Sequence, residues 1–173
     1  MIHTQYACLD IPGISSKEQL VDLLRVFAQQ ILEMNEVKQD SPFRYLQDDV
    51  EGLSQAEAIC TITNKLLNYI KIEEITSQGS SLLVEAHYEG EADNYDLCDE
   101  ISKFLFSKTP NPYFLMRSAA ADREGSYAHQ LIGYWKDNEV VLEKTESYFD
   151  RLFSSSADNQ PQLGIINRPV GFA

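Results

Sequence analysis

Glu85, His87 and Glu89 stand at every second position of the run Leu82-Leu83-Val84-Glu85-Ala86-His87-Tyr88-Glu89. In an extended strand that spacing puts all three side chains on one face. An imidazole between two carboxylates can be oriented as a general base, or can share a divalent metal with them. The plainer reading of the same triple is a solvated histidine on an acidic strand. His129 is a second candidate for a pocket. Neither it nor His3 has a companion that the sequence makes visible.

The triple opens the most acidic stretch of the chain. Glu85, Glu89, Glu91, Asp93, Asp96, Asp99 and Glu100 occur there with no Lys or Arg among them. A calcium loop of the EF-hand kind needs a Gly at its sixth position and a Glu at its twelfth. With Glu89 or Glu91 as the first position, the sixth is Asn94 or Asp96, so the register fails. An acidic face leading into a helix N-terminus, where the dipole favours carboxylates, is the simpler account. No metal and no cofactor is expected.

Nucleophilic chemistry finds no support either. Cys98 follows a row of acids that oppose thiolate formation, and its spacing puts it on the apolar side of a helix. No serine stands in a G-x-S-x-G elbow. The stretch Ser126–Trp135 mixes apolar bulk with polar tips on both of its sides. Tyr127, His129, Leu131 and Trp135 alternate with Ala128, Gln130, Ile132 and Tyr134. Tyr127 and Trp135 are of the residue types that anchor interfaces, although in a core they only fill space.

The elements that must position these residues are legible in outline. Ile2–Leu9 reads as a strand stopped by Pro12-Gly13, and Ser15 or Ser16 caps a helix that runs to about Met34. Asn35–Gly52 reads as a polar connector with a helical turn at most. Ser54 and Glu57 have capping-box spacing ahead of a helix carrying Ile59, Ile62, Leu66, Leu67 and Ile70 inward. The period then changes to two, with strands on either side of Gln78-Gly79. A helix capped at Asp93 or Asn94 follows, with Leu97, Cys98, Ile101 and Leu105 inward. Three strands come next, Tyr113–Asp122, Ser126–Trp135 and Glu139–Thr145, and then a closing helix over Ser147–Phe153 with Tyr148, Phe149, Leu152 and Phe153 on one side.

This order predicts an α+β fold: an antiparallel or mixed sheet with helices packed on one face, a two-layer sandwich. Its central part, Ser54–Thr145, has the makings of a split β-α-β unit of ferredoxin-like kind. At 173 residues and 43% hydrophobic content, one globular domain over 1–153 is expected, with a flexible tail over 154–173.

Charge points to partners rather than to catalysis. The chain carries a formal net charge of −13, and up to Ile101 it has 19 Asp and Glu against 6 Lys and Arg. Such a balance disfavours direct binding of a phosphate backbone and favours a basic protein partner. The first expectation is therefore a non-catalytic, acidic binding domain, such as an immunity or inhibitor protein that neutralises a nuclease toxin or a nucleic-acid-binding protein. On that reading the partner-binding residues are Glu85, Glu89, Glu91, Asp93, Asp96, Asp99, Glu100, Tyr127 and Trp135. The alternative is a small enzyme or ligand-binding domain whose pocket lies between sheet and helices, with His87 and His129 in it. Cys8, Cys60 and Cys98 are too few and too scattered for a disulfide framework. With no signal peptide and no apolar run of membrane-spanning length, they predict buried, reduced thiols in a cytoplasmic protein.

Overall fold

The computed structural model of the chain describes residues 2–89, 95–121 and 125–145. Its elements are β1 (Ile2–Pro12), α1 (Lys17–Glu33), α2 (Pro42–Asp49), α3 (Gln55–Leu67), β2 (Ile70–Ile75), β3 (Gly79–Glu89), α4 (Tyr95–Phe106), β4 (Tyr113–Ala121), β5 (Ser126–Lys136) and β6 (Glu139–Lys144). The expected closing helix over Ser147–Phe153 and the tail lie outside the described residues.

The helices begin where the capping residues stand. Ser16 accepts a hydrogen bond from the Gln19 amide, and Ser54 accepts one from the Glu57 amide, each filling an otherwise orphaned donor. The stretch read as a connector contains α2. Ser41 caps it by accepting from the Phe43 amide, and Pro42 occupies its first turn, where a missing N–H costs nothing. Among its residues only Leu46 is buried, which is why its apolar spacing was too sparse to register as a helix.

All six strands form one sheet in the order β2-β3-β1-β4-β5-β6, and every neighbouring pair is antiparallel. β3 and β4 therefore run parallel to each other, joined through α4, with β1 between them. Likewise β1 and β2 run parallel, joined through α1–α3, with β3 between them. Two interleaved split β-α-β units of this order make the ferredoxin-like arrangement, and β5 and β6 extend it as a hairpin. The strand that completes it, β1, comes from the N-terminus and lies outside the stretch Ser54–Thr145.

The β5–β6 hairpin closes through Asp137 and Asn138, with φ of 50° and 66°. Two residues of positive φ between strands follow the right-handed twist, which favours Asp and Asn at these positions.

The helices and one face of the sheet share a single hydrophobic core. β1 contributes Ala7, Leu9 and Ile11, β3 contributes Leu82, Val84 and Ala86, and β4 contributes Phe114 and Met116. Leu20, Leu24, Phe27 and Ile31 of α1 meet them, as do Ile62 and Leu66 of α3 and Ile101, Leu105 and Phe106 of α4. The Phe27 and Phe104 rings stack at 4.1 Å between α1 and α4. The α+β expectation, with helices on one face of the sheet, is what the chain adopts.

One close approach fixes where β5 sits. A Cβ on Gly133 would fall 2.0 Å from Cε1 of Phe114, its partner across the β4–β5 ladder. Phe114 cannot easily retreat, because it is buried and packs on Phe106 with ring centroids 4.9 Å apart. Gly133→Ala is therefore expected to cost about 1–3 kcal/mol, as other overpacked core sites do. Urea unfolding of the two proteins checks this. A difference below about 0.5 kcal/mol, the scatter of neutral surface changes, would show that Phe114 swings clear.

Candidate functional site

The alternation along each strand divides the chemistry-capable residues between two sides of the sheet. Val84 and Ala86 face the helices, so Glu85, His87 and Glu89 face away from them, and all three are exposed. The triple does share one strand face. Its neighbours across the ladder are Tyr6 opposite Glu85 and Thr4 opposite His87. Thr4 Oγ1 and His87 Nδ1 lie 2.9 Å apart, so a hydroxyl holds that ring nitrogen.

The open face has two characters. Toward β2 it is acidic: Glu73 and Glu74 are exposed there, with Glu85, Glu89 and the exposed Asp10, which accepts from Ser81 Oγ at 2.6 Å. Toward the middle it turns apolar. Tyr6, Cys8, Leu115 and Arg117 line a groove of about 330 Å³. The Arg117 guanidinium donates to the Tyr6 hydroxyl at 3.3 Å. Burial is the main cause of a raised pKa for the Cys8 thiol, with the charges of Glu73 and Asp10 adding to it and Arg117 opposing.

The acidic stretch is not one surface. Asp99 and Glu100 belong to α4, on the helix side. Asp99 accepts from the Gln5 amide, and Gln5 is itself 1% exposed beneath α4. Glu100 pairs with Lys103 at 3.0 Å. The strand turns its carboxylates to one side of the sheet, and the helix that follows lies on the other. Asp96 falls in the first turn of α4, and Glu91 and Asp93 lie outside the described residues.

His87 and His129 do not meet. His129 pairs with Ser118 across β4 and β5 and is half-buried, on the same side as the core residues of β4. Trp135 also sits on the helix side, 47% exposed, with its ring 6.4 Å from Phe106. Tyr127 occupies the register position opposite Ala120. The residues grouped by type in the sequence are thus dispersed over both faces.

The thiols need correction. Cys8 and Cys60 are exposed and only Cys98 is buried. Cys8 falls on the open side of β1, because Ala7 and Leu9 take the inward positions. Cys60 points away from the buried residues Ala58, Ile62 and Thr63 of α3. Burial, reinforced by the neighbouring Asp99 charge, pushes the Cys98 thiol up to about 12. Such a group stays protonated and inert at neutral pH.

Two further hollows exist among the described residues. One of about 430 Å³ lies at a sheet end, lined by Asp10, Thr76, Ser80, Ser81 and Asn111 among others. Another of about 370 Å³ lies between α2, α3 and α4, with Tyr45, Tyr69 and the Asp49–Lys65 ion pair on its walls. Neither brings a described histidine or cysteine to its wall. No group of three or more His, Cys, Asp or Glu side chains that could hold a metal ion occurs among the described residues.

No family model, no curated protein and no solved structure matches this chain. Nor is any helix of the described residues long and apolar enough to cross a membrane.

Sequence reading missed the groove. Its signal was the alternating set Thr4, Tyr6, Cys8 and Asp10, but the facing residues Leu115 and Arg117 come from a strand more than a hundred positions away.

Two outcomes follow for the thiols. In native protein near pH 8, a thiol reagent is expected to modify Cys8 and Cys60 and leave Cys98 untouched until denaturant is added, as read by mass spectrometry. The sign of the pH dependence also follows. The unfolded Cys98 loses its proton above about pH 9, while the folded one keeps it up to about 12. Unfolding is thus favoured as pH rises through that window, at up to about 1.4 kcal/mol per pH unit. The stability difference between wild type and Cys98→Ala should shift by that slope above pH 9. A difference that stays flat with pH would refute the raised value.

Proposed function

We propose that the chain is a non-catalytic binding domain that engages a basic protein partner through the acidic half of its open sheet face. The observation that carries this reading is the set of Asp10, Glu73, Glu74, Glu85 and Glu89 at exposed positions of β1, β2 and β3, on one side of the Tyr6–Leu115 groove. Carboxylates beside such a groove accelerate encounter with a cationic surface, while desolvated aromatic and aliphatic groups lengthen the life of the complex. An inhibitor or immunity role, in which the partner is a nuclease toxin or another nucleic-acid-binding protein, is the form of this reading that best fits the net charge of −13. A rigid sheet face suits such capture, because its side chains are already held in position before the partner arrives.

A second reading has one observation in its favour. The groove itself, with Arg117 at its wall, is of a size to take a small ligand. The same experiment separates the two.

The test uses wild-type protein and the variant Glu74→Lys, Glu85→Lys, Glu89→Lys as baits in native lysate at low and high salt. Exposed positions of this kind change stability by no more than about 0.5 kcal/mol each, so the variant should stay folded. A basic protein retained by wild type at low salt, released at high salt and not retained by the variant is the expected result. With the purified partner, the association rate should fall roughly tenfold or more while dissociation changes little. Equal retention by both baits would overturn the acidic-face reading, and retention of nothing would move the weight to a small ligand.

A further inference from the structure

β2 is the last strand on its side of the sheet, and no strand of the described residues lies beyond it. The ladder on its inner side fixes which backbone groups face outward. The Tyr69 carbonyl accepts from the Glu85 amide at 2.8 Å, and the Thr76 amide donates to the Gly79 carbonyl at 2.9 Å. In an antiparallel ladder, residues that exchange such bonds alternate with residues whose N–H and C=O point the other way. Counting inward from Tyr69 and Thr76, Lys71 and Glu74 address β3. Ile70, Ile72 and Ile75 therefore turn their backbone groups to the outer edge.

The side chains divide just as sharply. Ile70, Ile72 and Ile75 stand opposite Val84, Leu82 and Ser80, which are buried on the helix side. Ile70 and Ile72 are only partly covered and Ile75 is 44% exposed, so apolar surface continues right up to the edge. Lys71, Glu73 and Glu74 are exposed on the open side. The register shift between Ile72 and Glu74 is a bulge, and it places both acids on that one side.

We infer that the outer edge of β2 docks an extended segment of the basic partner, which joins the sheet antiparallel as one more strand. This deepens the basic-partner reading and rests on it. In strand addition the main chain supplies affinity and the alternating side chains supply specificity. Residues paired across a ladder share a face. The partner residues opposite Ile70, Ile72 and Ile75 must then be apolar. The residue between the last two faces Glu73 and Glu74 and must be basic. β3 already shows that a regular strand fits this bulge, since Leu82 and Ser80, two residues apart, meet Ile72 and Ile75. Lys71 excludes a basic residue at the next open-side position, so an unbroken Lys–apolar alternation is not what this edge selects. Six residues, about 20 Å of strand, cover the whole edge. Charges and a bulge on an edge strand discourage indiscriminate pairing. A second copy of this chain carries the same net charge of −13, which opposes joining two such edges.

The test uses the full chain and three acetylated, amidated peptides. The first is Arg-Leu-Arg-Leu-Ser-Leu, the second is the same peptide N-methylated at its leucines, and the third is N-methylated at its arginines and serine. Charge and side chains are the same in all three. In the inferred register the leucines meet Ile75, Ile72 and Ile70 and exchange backbone bonds with them, whereas arginine and serine amides point to the far side. At low salt the first and third peptides should bind alike, and the second roughly tenfold or more weakly. Saturation with the first should slow hydrogen exchange at the Ile72 and Ile75 amides roughly tenfold or more.

Equal binding by all three peptides would overturn the inference, as would a loss confined to the third or unchanged exchange at Ile72 and Ile75. Exchange at those amides that is already slow without peptide and quickens on dilution would put a second copy at the edge, overturning the choice of occupant. No saturable binding by the first peptide overturns the edge as a docking site. The basic-partner reading falls separately, only if the wild-type and charge-reversed baits retain the same proteins.

Discussion

Everything in this fold hangs on β1 being paired along both edges. Residues Ile2–Pro12 hydrogen-bond to β3 over their whole length, and Ile2–Ala7 bond to β4 on the other side. Without β1 the sheet divides into a β2–β3 hairpin and a β4–β5–β6 meander that share no ladder. Its alternating residues also assign the two faces, since Gln5, Ala7, Leu9 and Ile11 look toward the helices while Thr4, Tyr6, Cys8 and Asp10 look away. Pairing a strand at the start of the chain with strands about seventy to a hundred and twenty residues later carries a large loop-closure cost. Folding should accordingly be governed by these distant contacts rather than by the helices.

The same strand separates the chemistry. Two polar groups on the helix side are tied into structure: the Gln5 amide donates to Asp99, and Cys98 is sealed and protonated. Groups on the far side are exposed around a shallow groove, where carboxylates of β1, β2 and β3 share a face with Tyr6 and Leu115. A site for bond-making chemistry needs converging, desolvated acid, base or nucleophile. The acids, histidines and thiols among the described residues are dispersed over both sides of the sheet, which is the ground for proposing recognition. In the proposed complex the acidic half of the face would supply attraction at a distance, and the groove contact area.

Much of the architecture was legible because its signals are local. Caps at Ser16 and Ser54, the turn at Asp137-Asn138 and the alternation of Leu82–Glu89 each act within a few residues, and each appears where the spacing put it. α2 was missed because an eight-residue helix with one buried side chain leaves almost no apolar period. The thiols were misjudged for a related reason. Apolar sequence neighbours do not imply burial: in a strand the adjacent residues point the opposite way, as Ala7, Cys8 and Leu9 do, and in α3 Cys60 lies off the face that buries Ala58, Ile62 and Thr63. The acidic stretch is continuous in sequence but not in space. A strand-to-helix crossing sends Glu85 and Asp99 to opposite sides of the sheet. The mixed character of Ser126–Trp135 has a counterpart in β5, which buries Gln130, Ile132 and Tyr134 on one side while His129, Leu131 and Trp135 on the other are only partly covered.

The central claim is that recognition belongs to the open face of β1, β2 and β3 rather than to the acids of α4. The most direct measurement is an amide chemical-shift titration with a short cationic peptide of alternating Lys and Leu, repeated at raised salt. The account predicts shifts clustered over Thr4–Asp10, Glu73–Glu74 and Ser81–Glu89, fading as salt screens the carboxylates. Shifts centred on Asp99 and Glu100, or spread evenly over both sides of the sheet, would contradict it.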